Sequence, residues 1–486
     1  MRLTKIIAAC LIILSGTFYA QGVTFNSSDS VLNASFIWAK NMALSYAHQG
    51  DKVGDWYDAS LPNREAFCMR DVSHQTMGAA VLGLYSHNKN MLQHFAEDIS
   101  ESRDWCSYWE INKYNKPAPV DYSNDNDFWY NLTSNFDVSD AIYRMYLWTG
   151  DKSYVQDPVF LNFIHYTLNY YRARWQLLSE NIITRDRNIN LYKNGNAETS
   201  KFKNARGIPG YNEGGKGELA LGIDLLAAQA AALNDYYYIE AMNQNTGAAK
   251  WLKERDKLIG LINKYFFDKT TGRYYSCLYT NGQKDYSIID ESQACGHYLL
   301  YFGAENNKTR INTLLDELIQ YKDKLEVESA SHMPEIFFKY GRPEEGIYMI
   351  KRLTAPSMKR KEYPENSFSV IGAFANGLMG INPDASKNCI TTLSNLVPSI
   401  SYASISNVPV FSNSITVKHT GIVKTEFTNN SGNQIRWKAS FKGNYSSLYV
   451  DGQKVKAAKS IDIMGNPVSS IVADVPAGKT ITVGIK

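Results

Sequence analysis

The chain has 486 residues, 44% of them apolar, enough to bury a large core and to divide into two domains. Its 51 basic and 48 acidic residues leave a formal net charge of +3. With no basic tract to reverse that balance, nucleic acid is excluded as the expected partner. Aromatic residues make up 13%, including 33 tyrosines and 9 tryptophans, a supply that suits stacking against the apolar faces of sugar rings.

The first residues read as an export signal. Arg2 and Lys5 form a basic start, residues 6–14 an apolar centre, and Phe18-Tyr19-Ala20 precedes an expected cleavage before Gln21. The alternative is a lipoprotein signal, since Ile7-Ala8-Ala9-Cys10 resembles a lipobox, but about half of the apolar run follows Cys10. No later stretch is long and apolar enough to span a bilayer, so a periplasmic or extracellular location is expected. Removal of Cys10 leaves Cys68, Cys106, Cys277, Cys295 and Cys389, an odd set in which Cys277 and Cys295 are candidates to pair. No two cysteines or histidines show ligand spacing, so neither a metal nor another cofactor is expected.

After the signal, residues 23–30 are mostly polar and are expected to be loose. From there to about residue 379 the periodicity predicts helices over 30–47, 71–86, 91–106, 135–149, 154–178 and 217–234, then over 246–266, 287–302, 309–321, 331–340, 344–353 and 366–380. Short connections such as Gly341-Arg342-Pro343 alternate with long ones over 107–134, 180–216 and 355–365, and long loops in a compact domain are usually functional. Six helical hairpins with the elaborate loops at one end would make a toroid with a cleft, here residues 21–390. A tandem solenoid would need a fixed repeat period, and none is visible. Beyond residue 391 short alternating runs such as Ile415-Thr416-Val417-Lys418, with a turn at Asp451-Gly452, predict a small antiparallel β-sandwich over 391–486. The fold class expected is thus mainly α.

Four polar clusters carry the chemistry, each at a loop before a helix. In the first, Arg70, Asp71 and His74 stand at one loop–helix junction, with Asp71 and His74 three residues apart on one face. A capping role explains Asp71 alone but not the three together. In the second, Tyr211, Asn212 and Glu213 lie among glycines that let backbone approach a ligand, where Glu213 has little packing role. The third holds Glu362 and Glu365 on either side of Tyr363-Pro364, with Pro364 fixing the chain between them. The fourth, around Asp125 and Trp129, offers hydroxyl-binding groups beside a stacking face. A weaker fifth cluster contains Glu328, His332 and Glu335, and a lone helical histidine is more often a hydrogen-bonded core residue than a catalyst. Glycoside hydrolysis requires one protonated carboxyl and one ionised carboxylate across the scissile bond. A Gly-x-Ser-x-Gly elbow for acyl transfer is missing.

In its order of parts the chain resembles the six-hairpin (α/α)6-barrel glycosidases, in particular the α-L-rhamnosidase-like enzymes of polysaccharide-degrading bacteria. The stretch from Asn366-Ser367-Phe368 to Gly380-Ile381 looks like the final barrel helix of that group, residues 64–71 like its acidic first-hairpin loop, and the trailing β-domain matches its architecture. The resemblance implies hydrolysis of a poly- or oligosaccharide with inversion, the two carboxyl groups about 6.5–9.5 Å apart. On this chain it points to Glu213 as acid and Glu365 as base, with Asp71 the alternate acid and Glu362 the alternate base. Arg70, His74, Asp125, Trp129, Tyr211 and Asn212 would bind the sugar. A polysaccharide lyase using Tyr211, His74 and Arg70, or a non-catalytic glycan-binding protein, remains as an alternative.

Overall fold

The computed structural model describes residues 22–186, 200–202, 205–212, 218–288 and 293–486, so the expected signal over 1–20 lies outside the described residues. The helices used below are, in chain order, α1 (Ser30–Ser45), α2 (Met69–Val81), α3 (Tyr85–Glu97), α4 (Ser134–Thr149), α5 (Pro158–Tyr166) and α6 (Ile223–Met242). They continue with α7 (Ala249–Leu261), α8 (Tyr298–Tyr301), α9 (Lys308–Tyr321), α10 (Met333–Lys339), α11 (Pro343–Thr354) and α12 (Pro364–Gly372). The even-numbered members are buried on almost every side; in α2 even Ser73, Gln75 and Thr76 are out of solvent. The odd-numbered members present one apolar stripe, as in α9, where Ile311, Leu314, Leu315 and Leu318 are buried at helical spacing and the other face is polar.

This difference in burial sorts the helices into two layers. Helices α2, α4, α6, α8, α10 and α12 each touch the next, and α12 packs back against α2, closing the inner layer on itself. Outside them, α1 lies on α12, α3 on α2, α7 on α6 and α11 on α10. The approach of α2 to α12 depends on Gly78, where an added Cβ would stand 2.0 Å from the Phe368 carbonyl oxygen. That side of α2 has no room for a methyl group.

Two antiparallel-rich sheets follow. One has the strand order Thr24–Ser27, Tyr402–Val410, Asn413–Thr420, Lys424–Ser431, Lys479–Gly484, Ser447–Val450, Gln453–Lys456; the other runs Asn382–Asp384, Cys389–Leu393, Ile435–Lys442, Pro467–Val475, Ala458–Ile461. Period-two burial is clear in Asn413–Thr420, whose Ile415, Val417 and His419 face inward. Helices and sheets share a continuous apolar core. They are also joined by polar contacts: the Trp148 indole N–H and the Tyr85 hydroxyl both donate to the Pro409 carbonyl, at 2.9 and 2.7 Å. His419 Nε2 lies 3.0 Å from the Met379 carbonyl.

Several expectations are corrected. Residues 23–30 are not loose: Thr24–Ser27 forms a strand paired antiparallel with Tyr402–Val410, and Val23 and Phe25 are buried. The predicted helices over 71–86 and 91–106 shift to α2 and α3 because Gly83, at φ 80°, ends the first turn sequence and lets the second start at Tyr85. The helix predicted over 217–234 begins at Ile223 after the strand Leu219–Gly222. That predicted over 287–302 shrinks to α8, since the preceding backbone is taken by the strand Lys284–Tyr286 and by a bond from the Cys295 N–H to the Ser287 carbonyl. Helix makes up 41% of the chain and strand 27%, so the mainly α class is widened to a helical domain with a substantial β part. Strands of two to seven residues inside the long loops account for much of that difference, for example Ala66–Cys68 with Glu110–Asn112.

The closeness of α2 and α12 gives the first prediction. Gly78→Ala should lower stability by about 1–3 kcal/mol, because the ring must open around an overpacked contact. Calorimetry should show a melting temperature several degrees lower; an unchanged transition would refute the close approach.

Candidate active site

The N-terminal ends of the inner helices converge on one cavity of about 420 Å³. Asp71 sits in the first turn of α2, Asp137 in that of α4, Asp224 in that of α6 and Glu365 in that of α12, while His332 immediately precedes α10. Acids are favoured at these positions because the unpaired N–H groups and the helix macrodipole present positive charge there. Of these side chains, Asp71, Glu365 and His332 line the cavity, together with Arg70, His74, Trp109, Trp129, Tyr211 and Tyr298.

The floor is a triangle of polar atoms. His332 Nε2 lies 3.0 Å from Glu365 Oε1 and 3.0 Å from His74 Nδ1, and His74 Nδ1 lies 3.5 Å from the same Glu365 oxygen. The Ser331 hydroxyl donates to that oxygen at 3.1 Å. All three residues are buried. Burial by itself would raise the Glu365 carboxyl, but the imidazoles of His332 and His74 outweigh it and hold the group below the usual carboxylate range. His74 is pushed down to about 4, first by burial and then by the neighbouring His332.

Asp71 forms the adjoining wall and behaves oppositely. Its two oxygens accept from the Tyr363 hydroxyl and the Cys68 thiol. Burial pushes its carboxyl up to about 6, against the pull of Arg70, and the charge of Glu365 adds to the rise. The Arg70 guanidinium stands 5.2 Å from the centre of the Tyr211 ring and 5.7 Å from that of Trp109, with its Nε 4.0 Å from Asp71. Trp109 packs edge-on to Trp129, their centres 4.4 Å apart, which gives the cavity an aromatic side.

A second layer fixes these walls. The Tyr211 hydroxyl donates to Asp137 at 2.6 Å and its backbone N–H donates to Asp224 at 2.6 Å. Burial raises Asp137 well above the carboxylate range and pushes Asp224 up to about 7. Across the cavity, Arg64 Nη1 donates to Glu110 at 2.9 Å and to Asp121 at 3.4 Å. Burial and the Asp121 carboxyl push Glu110 up to about 8.

The predicted residues therefore separate. Arg70, Asp71, His74, Trp129, Tyr211, Asn212 and Glu365 meet at one cavity. Glu362 does not: it is exposed and lines a different depression with Tyr46, His48 and Asp58, because Pro364 turns the chain between it and Glu365. Asp125 is tied away from the cavity by Arg103 at 3.0 Å and by the Ser102 and Tyr122 hydroxyls. Glu213 lies outside the described residues. His74 is held against Glu365 and His332 as well as reaching the cavity, so it is more than a sugar contact. Cys277 and Cys295 are both free thiols.

Three contributors were not singled out: Trp109, Tyr298 and the buried Asp224. Asp224 alone carried a usable signal, an acid in the first turn of an otherwise apolar helix. Sequence spacing also argued against a metal, yet His74, His332 and Glu365 gather ligand atoms within 4.8 Å of one another. Spacing reveals only ligands that share a segment, whereas these come from three helices.

No family model matches the sequence, and no curated protein matches it. Solved structures do. The rhamnosidase of Bacillus sp. GL1 aligns over 84% of this chain and 41% of its own at a TM-score of 0.59 and 12% identity. The α-L-rhamnosidase of Dictyoglumus thermophilum aligns over 96% and 50% at 0.61 and 14% identity. A putative kojibiose phosphorylase from the human microbiome aligns over 95% and 68% at 0.53 and 10% identity. The fold is thus that of the α-L-rhamnosidases and related carbohydrate-active enzymes. The chain spans half or less of the length of the two rhamnosidases.

The hydroxyl of Tyr363 donates to Asp71 and so favours its ionised form. Tyr363→Phe should therefore move the Asp71 carboxyl upward from about 6. Titration of carboxyl-labelled aspartate by NMR reads this directly, and an unmoved or lowered value would show that the hydroxyl does not set it.

Proposed function

We propose that this protein is an exported glycoside hydrolase, a six-hairpin (α/α)6 toroid over about residues 21–390 with a β-sandwich over 391–486, that cleaves a poly- or oligosaccharide with inversion. The observation that carries the reading is the divergence of two carboxyl groups on one cavity: Asp71 is pushed up to about 6 while Glu365 is held low. Environments that push paired carboxyls apart assign the acid and the base. Asp71 gives its proton to the departing glycosidic oxygen. Glu365, kept ionised by its imidazoles, takes a proton from the attacking water. Arg70 limits the rise of Asp71 and orients hydroxyl groups, and Trp109 and Trp129 provide the apolar face against which a sugar ring stacks. The fold shared with rhamnosidases supports the same reaction class.

The lyase reading is weaker on a specific ground. Its base would be Tyr211, but burial and the Asp137 carboxyl raise that phenol well above its ordinary value, opposite to what a base at neutral pH requires.

Asp71→Asn and Glu365→Gln should each reduce turnover on a cleaved glycan by about 100- to 10,000-fold with folding retained. The anomeric form of the first product, followed by NMR, should be inverted. Because the acid must keep its proton, kcat/KM should fall as pH rises through about 6. Near-normal rates in both variants would discard the pair, and binding without any turnover in the parent protein would leave a glycan-binding module.

A further inference from the structure

We propose that His74 Nδ1, His332 Nε2 and Glu365 Oε1 form a binding site for one divalent transition-metal ion of the zinc class, and that the bound ion inhibits the enzyme by occupying its base. The two short edges of this triangle are 3.0 Å and the third is 3.5 Å. Zinc holds nitrogen and carboxylate oxygen at about 2.0–2.2 Å in tetrahedral sites, which places neighbouring ligand atoms about 3.3 Å apart. The triangle therefore needs almost no movement to accept the ion.

The proton count points the same way. Three atoms able to accept face one another, and an imidazole N–H directed into the triangle can satisfy only some of them. A cation satisfies all three at once. Coordination through His74 Nδ1 and His332 Nε2 would put the ring protons on His74 Nε2 and His332 Nδ1, two buried atoms that have no hydrogen-bond partner among the described residues. Two histidines with one carboxylate is a donor set that suits zinc and its first-row neighbours rather than calcium or magnesium. All three residues line the cavity, which leaves a coordination position open to water or a sugar hydroxyl. The charges nearest this position are Arg70, which opposes a cation, and Asp71, which favours one.

The inhibition rests on the proposed role of Glu365, since an oxygen committed to a metal cannot take the proton of attacking water. Metal binding itself does not depend on that role. The full chain, stripped of metal, should bind Zn2+ one-to-one in a calorimetric titration. Co2+ at the same site should give the visible absorption of a four-coordinate ion. His332→Gln and His74→Gln should each weaken binding at least tenfold and abolish that absorption. Zn2+ should suppress glycan hydrolysis, and a chelator should restore it. Absence of binding in the unmodified chain, or binding unchanged in both variants, would overturn the site. Turnover that rises with Zn2+ would overturn the inhibition. A chain that binds zinc but cleaves no glycan would leave the metal site standing and remove the hydrolase reading.

Discussion

Glu365 is a carboxylate taken out of water at the start of α12, and the arrangement of the inner helices follows from how it is kept there. An isolated buried charge costs several kcal/mol, so it needs partners with fixed geometry. It obtains them from α2, which carries His74 one turn after Asp71, and from the residues entering α10, His332 and Ser331. Those three helices are consecutive members of the inner layer. The contact of α12 with α2 that closes that layer is thus also the contact that assembles the floor of the cavity. Gly78 permits the approach, and the imidazole–carboxylate triangle uses it.

Around that floor the acids outnumber the cations. Asp71, Asp137, Asp224 and Glu110 are all raised by burial, and Arg70 and Arg64 offset only part of the effect. Such a region retains protons that an ordinary surface would release. Glu365 is the exception because imidazoles, rather than further carboxyls, surround it. The same cavity therefore holds a carboxyl that keeps its proton into mildly acidic pH beside one that stays ionised, and no charged group had to be added to create the contrast.

Much of this was legible from residues alone, for identifiable reasons. Asp71 and Glu365 were visible because acids at the junction of a loop and an apolar helix have few structural duties beyond capping. Arg70 and His74 were visible because they crowd the same junction. The helical layers were visible through their periodicity, and the sandwich through its alternation. His332 was undervalued because a single histidine has no local pattern; its importance comes from His74 and Glu365, 258 and 33 residues away. Glu362 and Asp125 were misplaced because loop direction is decided by long-range pairing, with Arg103 in one case and the turn at Pro364 in the other. Short loop strands such as Lys116–Pro117 contain too few residues to show any period.

The strand Thr24–Ser27 joins the sheet through Tyr402–Val410, so the earliest described segment finds its neighbours only among the last hundred residues. Pairing across such a separation is slow, since loop-closure entropy is spent before any contact rewards it. During synthesis the emerging amino-terminal part would have nowhere to dock, and the first helix would wait without its flanking strand. A polypeptide that ties its two ends together in this way reaches its final form after the whole length is available, which keeps the early chain extended during the interval in which translocation machinery handles unfolded protein.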